Sequence, residues 1–274
     1  MIEITKEILE NHVPSFRNAT PYIFESLSSY VVEARDYVYN LCSPEYAEQE
    51  TFNLRVLATR LICLRTARRA VPGLDLILTE NGFGIVSNQN VSPASSARVE
   101  ALRVSLRQQE SQAEDLLVFA LLKTDWKKTA VAVSRIESLL WNPTLLRRYG
   151  VTLDGREAYA EEFGKLQPRI EQAEEMVRGI IGPELHAALV ERERTMPEDS
   201  RSEYAIVREF SRKLMSVVIS KPTPQFIMKS RERLIDTLNR YADSLPEYRE
   251  SSTYQSYHFD NFKNRDEDHT YFFS

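Results

Sequence analysis

Leu74-Asp75-Leu76-Ile77-Leu78-Thr79-Glu80-Asn81-Gly82-Phe83-Gly84-Ile85-Val86-Ser87-Asn88, followed by Gln89-Asn90-Val91-Ser92-Pro93-Ala94-Ser95, is the one stretch whose pattern is not helical. Leu74, Leu76 and Leu78 alternate with Asp75, Ile77 and Thr79, which is the period of a strand. Asn81-Gly82 suits the two positive-φ positions of a type I′ turn. Phe83, Ile85 and Val86 supply a returning strand, and Gly84 marks a bulge or a close backbone approach. The pattern predicts a β-hairpin over about 74–87. Ser87 to Asn90 then reads as polar loop, and Ser92-Pro93 as a helix start with Ser at the N-cap and Pro at the first helical position.

A two-stranded hairpin is marginal alone in water. It must pack on its own helices or pair with a neighbouring copy. Asn81-Gly82-Phe83-Gly84 is glycine-rich, but no Lys-Ser/Thr pair and no immediate helix follow it, so it is neither a P-loop nor a dinucleotide fingerprint.

Outward from this stretch the chain reads as helix. Thr20-Pro21 opens a helix whose stripe runs through Leu27, Val31, Ala34, Val38 and Leu41, and Ser43-Pro44 closes it. A second runs from about Glu50 to Ala70. A third, from Pro93 to about Lys123, turns Leu116 among others to the core and carries Gln108-Gln109-Glu110-Ser111-Gln112 as a solvated polar run. A shorter helix ends at Asn142-Pro143. Beyond Gly150 the composition shifts to Glu, Arg, Ala and Gln, with breaks at Pro168, Gly182-Pro183 and a linker from Met196 to Ser200. Two more helices follow, Ser202 to Ile219 and Thr223 to Ser244. From Leu245-Pro246 no period holds, yet aromatics are dense: Tyr248, Tyr254, Tyr257, Phe259, Phe262, Tyr271, Phe272 and Phe273. Disordered tails are poor in aromatics, so this segment reads as an extended arm lying on its own or a neighbouring subunit. The expected fold is mainly α: a helical bundle with one embedded hairpin (1–150), a second helical region (151–245) and an extended aromatic arm (246–274).

The chain has 274 residues, 42% hydrophobic and 27% charged, which suits a soluble protein with a real core. No run is apolar enough to cross a membrane, and the acidic amphipathic start lacks the features of a signal peptide. Cys42 and Cys63 sit in apolar helical patterns and read as buried free thiols. A net charge of −5 argues against nucleic acid as the partner of the whole surface.

Signatures of chemistry are sparse. His12, His186, His258 and His269 have no His or Cys at metal-ligand spacing, and Gly-x-Ser-x-Gly does not occur. Asp266-Glu267-Asp268-His269 lacks the glycine and spacing of an EF-hand loop. The pairs Glu161-Glu162 and Glu174-Glu175 read as solvated helix faces. No catalytic, cofactor or metal residue is assigned. Arg65, Arg68 and Arg69 share nearly one helix face. Such arginines commonly snorkel or pair with Glu; in a ring around DNA they would line the channel.

The block from Leu74 to Asn88, with Val91-Ser92-Pro93-Ala94-Ser95 and Arg98-Val99, resembles a family of uncharacterised proteins from Bacteroidetes and their phages. The ending Phe262-Lys263-Asn264 and Tyr271-Phe272-Phe273 is similar to their aromatic terminus. The resemblance implies a structural protein like the head–tail connectors, or neck adaptors: a ring of identical subunits in a virion, assembled in the host cytoplasm. Its partners would be itself, portal and tail or neck proteins, and passing DNA read without sequence specificity. It implies no enzyme activity. Leu76, Leu78, Asn81, Gly82, Phe83, Gly84, Phe259, Phe262, Tyr271, Phe272 and Phe273 are the expected intersubunit contacts, and Arg65, Arg68 and Arg69 the DNA-facing residues. The alternatives are a component of a related contractile tail apparatus, or a cytoplasmic enzyme or regulator without a recognisable motif.

Overall fold

Four consecutive residues, Leu61, Ile62, Cys63 and Leu64, are all fully buried. A helix that buries an unbroken run has no solvent face there, so this helix is the centre of its bundle. The computed structural model describes residues 1–16, 21–74, 77–79, 82–84, 96–153, 159–195, 202–220 and 223–258. They fall in two compact units. The first comprises Met1–Pro168 with Arg194–Met196, the second Arg169–Glu193 with Pro197–Ser274.

The first unit begins with α1 (Lys6–His12), capped by the Thr5 hydroxyl, which accepts from Ile8 N at 3.3 Å. α2 (Pro21–Ser26) and α3 (Ser28–Ala47) follow. The central helix is α4 (Leu54–Leu74). After β1 (Ile77–Thr79) and β2 (Gly82–Gly84) comes α5 (Ser96–Leu121). α4 packs on both α3 and α5. Leu27 at the N-cap of α3, Ala34 and Val38 of α3, Leu54, Ala58 and Leu61 of α4, and Leu106, Ala113, Leu117 and Leu121 of α5 form this core. α6 (Ala130–Arg135) and α7 (Pro143–Arg148) close over it, α6 capped by Thr129 and α7 by Asn142 with Pro at N1.

The expected stop at Ser43-Pro44 is a break rather than an end. Ser43 leaves the helical region (φ 62°, ψ 156°), and a final turn continues to Ala47. Just ahead of the break, the Leu41 carbonyl accepts from the indole N–H of buried Trp126 at 3.1 Å. Leu116, expected in the core, is 49% exposed. Cys42 and Cys63 are buried free thiols, and burial pushes both up to about 12.

The second unit takes its part of α8 (Tyr159–Ile181), then α9 (Pro183–Thr195), α10 (Glu203–Ile219), α11 (Pro224–Tyr241), α12 (Pro246–Arg249) and α13 (Ser252–Tyr257). α10 and α11 pack on each other. Gly182 ends α8 at φ +88°, and a Cβ there would stand 3.3 Å from the Thr253 hydroxyl and 3.4 Å from that of Ser251.

The expected fold class is corrected in two places. The described residues are mainly helical, and the embedded β-hairpin expected over about 74–87 is not seen over that span. Leu74, expected to open a strand, is the last residue of α4. The extended pairing is confined to Ile77–Thr79 against Gly82–Gly84. Its register sets Thr79 opposite Gly82, so Gly82 is a paired strand residue and not the second residue of the expected Asn81-Gly82 turn. Alternation over six residues was outweighed by the helical run Leu54–Leu74, which carries its period past Val71-Pro72-Gly73. The second correction is at the C-terminal side. Residues 246–257 form α12 and α13, not an extended arm, and Tyr248 is fully buried. The period failed there because each helix is too short, four and six residues, to display one.

Candidate functional site

The first unit holds a cleft of about 280 Å³ built on the buried side of α4 and α5. Its charged wall follows from spacing. On α5, Leu106, Ala113, Leu117 and Leu121 recur four or seven residues apart, and Glu110 occupies the position in that stripe where an apolar residue would stand. Glu110 is therefore carried into the bundle, 6% exposed. A buried carboxylate requires cationic partners. Arg65 and Arg68, one turn apart on α4, supply them. Arg65 Nη1 donates to Glu110 Oε1 at 2.7 Å; Arg68 donates through Nε to Oε2 and through Nη2 to Oε1 at 3.4 Å. One carboxylate thus grips two guanidiniums and fastens α4 to α5.

One turn further on, Glu114 is paired with Arg135 at the end of α6 and accepts from the Tyr37 hydroxyl of α3 at 2.9 Å. The Arg65 guanidinium lies over the Tyr37 ring, 3.6 Å from its centroid. Burial and the Glu114 carboxylate push the Tyr37 phenol up to about 12, so it is a donor at any physiological pH. Burial alone would lower the Arg135 pKa; Glu114, Tyr37 and Asp115 outweigh that and raise it. Asp115, 4% exposed, accepts from the backbone N–H of Thr144 at 3.2 Å and from its hydroxyl, which ties α7 to α5. Burial pushes the Asp115 carboxyl up to about 6. Asn142 completes the wall. Its Oδ1 accepts from Leu145 N at 2.7 Å.

Of the expected DNA-facing residues, Arg65 and Arg68 point into this cleft, their side chains 13% and 18% exposed. Arg69 is half-exposed and pairs with Glu33 at 3.3 Å. Of the expected intersubunit contacts, Leu78, Gly82, Phe83 and Gly84 are placed by their backbone in β1 and β2. Leu76, Asn81, Phe259, Phe262, Tyr271, Phe272 and Phe273 lie outside the described residues, as do Ser92-Pro93 and the linker from Met196 to Ser200.

Sequence reasoning missed Glu110, Glu114, Asp115, Tyr37, Arg135 and Asn142. The run 108–112 is corrected: it is not uniformly solvated, because Glu110 is buried. The reading of Glu174 is corrected in the same way. It is 7% exposed and bonds His186 Nε2 at 2.9 Å, because Ile170, Glu174, Val177 and Ile181 share one stripe of α8. Glu162 is also buried. Among the described residues, no His, Cys, Asp and Glu side chains gather as a metal site would require.

The sequence model of a family of unknown function (DUF6712) matches residues 24–135. No curated protein and no solved structure matches this chain. The matched stretch is less than half of the chain and reaches from α2 to the end of α6. It contains Tyr37, Arg65, Arg68, Glu110, Glu114, Asp115 and Arg135, whereas Asn142 lies beyond it. The family's description carries no activity.

Proposed function

We propose that this protein is a structural subunit of a phage or phage-like particle, a head–tail connector that forms a ring of identical copies. One observation supports the reading most. The block read as similar to uncharacterised proteins of Bacteroidetes and their phages connects α4 to α5, helices of 21 and 26 residues that pack on each other and are joined by the Arg65–Glu110–Arg68 grip. A contact segment works best when the elements carrying it are rigid. The residues from Leu76 to Gly84, with the aromatic residues after 258, are the proposed intersubunit contacts. Portal and tail proteins are the proposed neighbours. In this reading Arg65 and Arg68 serve the scaffold, and Arg69 is the arginine of the three left to meet DNA.

Native mass spectrometry of the full chain tests the reading. The expected spectrum is dominated by one closed multiple of the 31.7 kDa subunit. Removing residues 259–274 should shift it toward monomer with unchanged helical circular dichroism. A monomer at every concentration, with no binding to purified portal or tail proteins, contradicts the reading.

A further inference from the structure

The first half of α11 carries apolar side chains that the fold does not use. From Thr223 to Arg233 no residue is buried, and the first buried residue of the helix is Leu234. Ile227, Leu234 and Leu238 share one stripe, the face that turns inward. Phe226 and Met228 stand about 100° to either side of it. They are 63% and 60% exposed, the most exposed large apolar side chains among the described residues after Met1. Phe52, the other exposed phenylalanine, has Lys123 over its ring. Single exposed apolar residues are ordinary; two on one turn, set among unpaired cations, are a surface. Lys229, Arg231 and Arg233 are all exposed, and residues 224–233 hold one acid, Glu232, against them. No ion pair joins these three cations to a described residue. The surface is therefore apolar and basic, and suits an apolar, acidic partner.

The chain after residue 258 has that composition. Residues 259–274 hold five aromatic residues, and four acids, Asp260, Asp266, Glu267 and Asp268, against Lys263 and Arg265. Aromatic rings pack favourably on phenylalanine and on the methionine thioether, and the acids oppose the charge of α11. Length fits as well. A segment of this size reaches at most about 50 Å, whereas the 18 residues of α11 span about 27 Å. It is long enough to leave its own subunit and still run along the first half of such a helix. We propose that residues 224–233 of α11 receive the segment 259–274 of a neighbouring copy. Phe226 and Met228 take its aromatic side chains, and Lys229, Arg231 and Arg233 take its acids. The inference rests on the connector reading and gives the aromatic segment its docking surface.

The test is photo-cross-linking of the full chain with benzoylphenylalanine in place of Phe272. Light and isotopically heavy chains are mixed, illuminated and digested, and the cross-linked peptides are read by mass spectrometry. The expected result is cross-links between light and heavy chains that fall within residues 224–233. Phe226→Ser, a change at an exposed position, should lower their yield at least about tenfold with unchanged helical circular dichroism. Arg233→Glu, which reverses one of the three charges, should lower it as well. Cross-links that fall elsewhere, that stay within one copy or that do not form overturn the proposal, as does full yield in the Phe226 variant. Native mass spectrometry of the same sample separates the two readings. A closed ring with cross-links elsewhere overturns this docking surface alone, whereas a monomer overturns the connector reading and the docking surface with it.

Discussion

Glu110 in the first unit and Glu193 in the second do the same thing in different settings. Each is a nearly buried carboxylate holding two arginines of another helix: Arg65 and Arg68 of α4 for Glu110, Arg208 (2.9 Å) and Arg212 of α10 for Glu193. The partners of Glu193 lie on the next helix along the chain, and Arg192 beside it stacks on Tyr204 at 3.7 Å. The partners of Glu110 are separated from it by 42 and 45 residues, with the whole α4–α5 connection between them. The local grip orders neighbours that the chain already keeps close. The distant one ties together two helices whose separation would free the segment proposed to make contacts.

The largest expected effect breaks the two grips in turn. Glu110→Gln leaves two guanidiniums, each less than one-fifth exposed, without their carboxylate. It should cost about 3–5 kcal/mol in urea denaturation. Glu193→Gln should cost somewhat less, about 2–4 kcal/mol, because Arg208 is 26% exposed and recovers hydration. Only the Glu110 change should reduce assembly. Equal loss of assembly in both variants would erase the distinction between them.

Asp115 gives the next effect, of opposite sign. Its carboxyl titrates near 6 in the fold against 3.8 in the open chain, so the folded state binds the proton more tightly between those values. The contribution to stability is full below about pH 4 and is lost as pH rises through about 6. Asp115→Asn keeps an oxygen for Thr144 and removes the buried charge. It should gain up to about 3 kcal/mol at pH 7 and flatten the fall of stability between pH 4 and 6. Parallel stability curves for the two proteins would contradict this.

Gly182→Ala tests the second unit's own frame. It combines a positive φ with a Cβ 3.3 Å from Thr253, and should lower stability by about 1–3 kcal/mol. A melting temperature matching the parent's would show that the turn relaxes freely. The smallest effect is that of Arg69→Gln. Its pair with Glu33 is about half-exposed on both sides and contributes at most about 1 kcal/mol. That makes Arg69 the clean probe of DNA contact, since changes at Arg65 or Arg68 also weaken the bundle. Genome retention unchanged in Arg69→Gln particles would remove the DNA role.

The helices were legible because their signals are local. Thr223-Pro224 and Gly182-Pro183 mark real helix ends, and of the stripe Leu27, Val31, Ala34, Val38 and Leu41, all but the partly buried Val31 are buried, on α3 and at its N-cap. The hairpin misled because alternation at Leu74, Leu76 and Leu78 cannot register that α4 is still running. Tyr248 misled because a residue in a four-residue helix shows no period. The charged cleft was hidden for another reason. Glu110 and Glu174 were read by their immediate neighbours, which are polar, when the informative comparison was with the residues three and four positions away. Leu106–Glu110–Ala113–Leu117 and Ile170–Glu174–Val177–Ile181 are apolar stripes with one acid each. An acid in such a place announces a buried partner, although the stripe does not say which one. The arginines that answer Glu110 lie 42 and 45 residues away, and that pairing exists only once α4 and α5 have packed.

A double-mutant cycle on Glu110 and Arg68 tests most directly whether the grip holds α4 to α5. Glu110→Gln, Arg68→Gln and the double variant are compared by urea denaturation. The account predicts strong coupling, with the double variant losing at least about 1 kcal/mol less than the sum of the two single losses. Single losses that add to within about 0.5 kcal/mol would show that Glu110 and Arg68 act independently, and would contradict it.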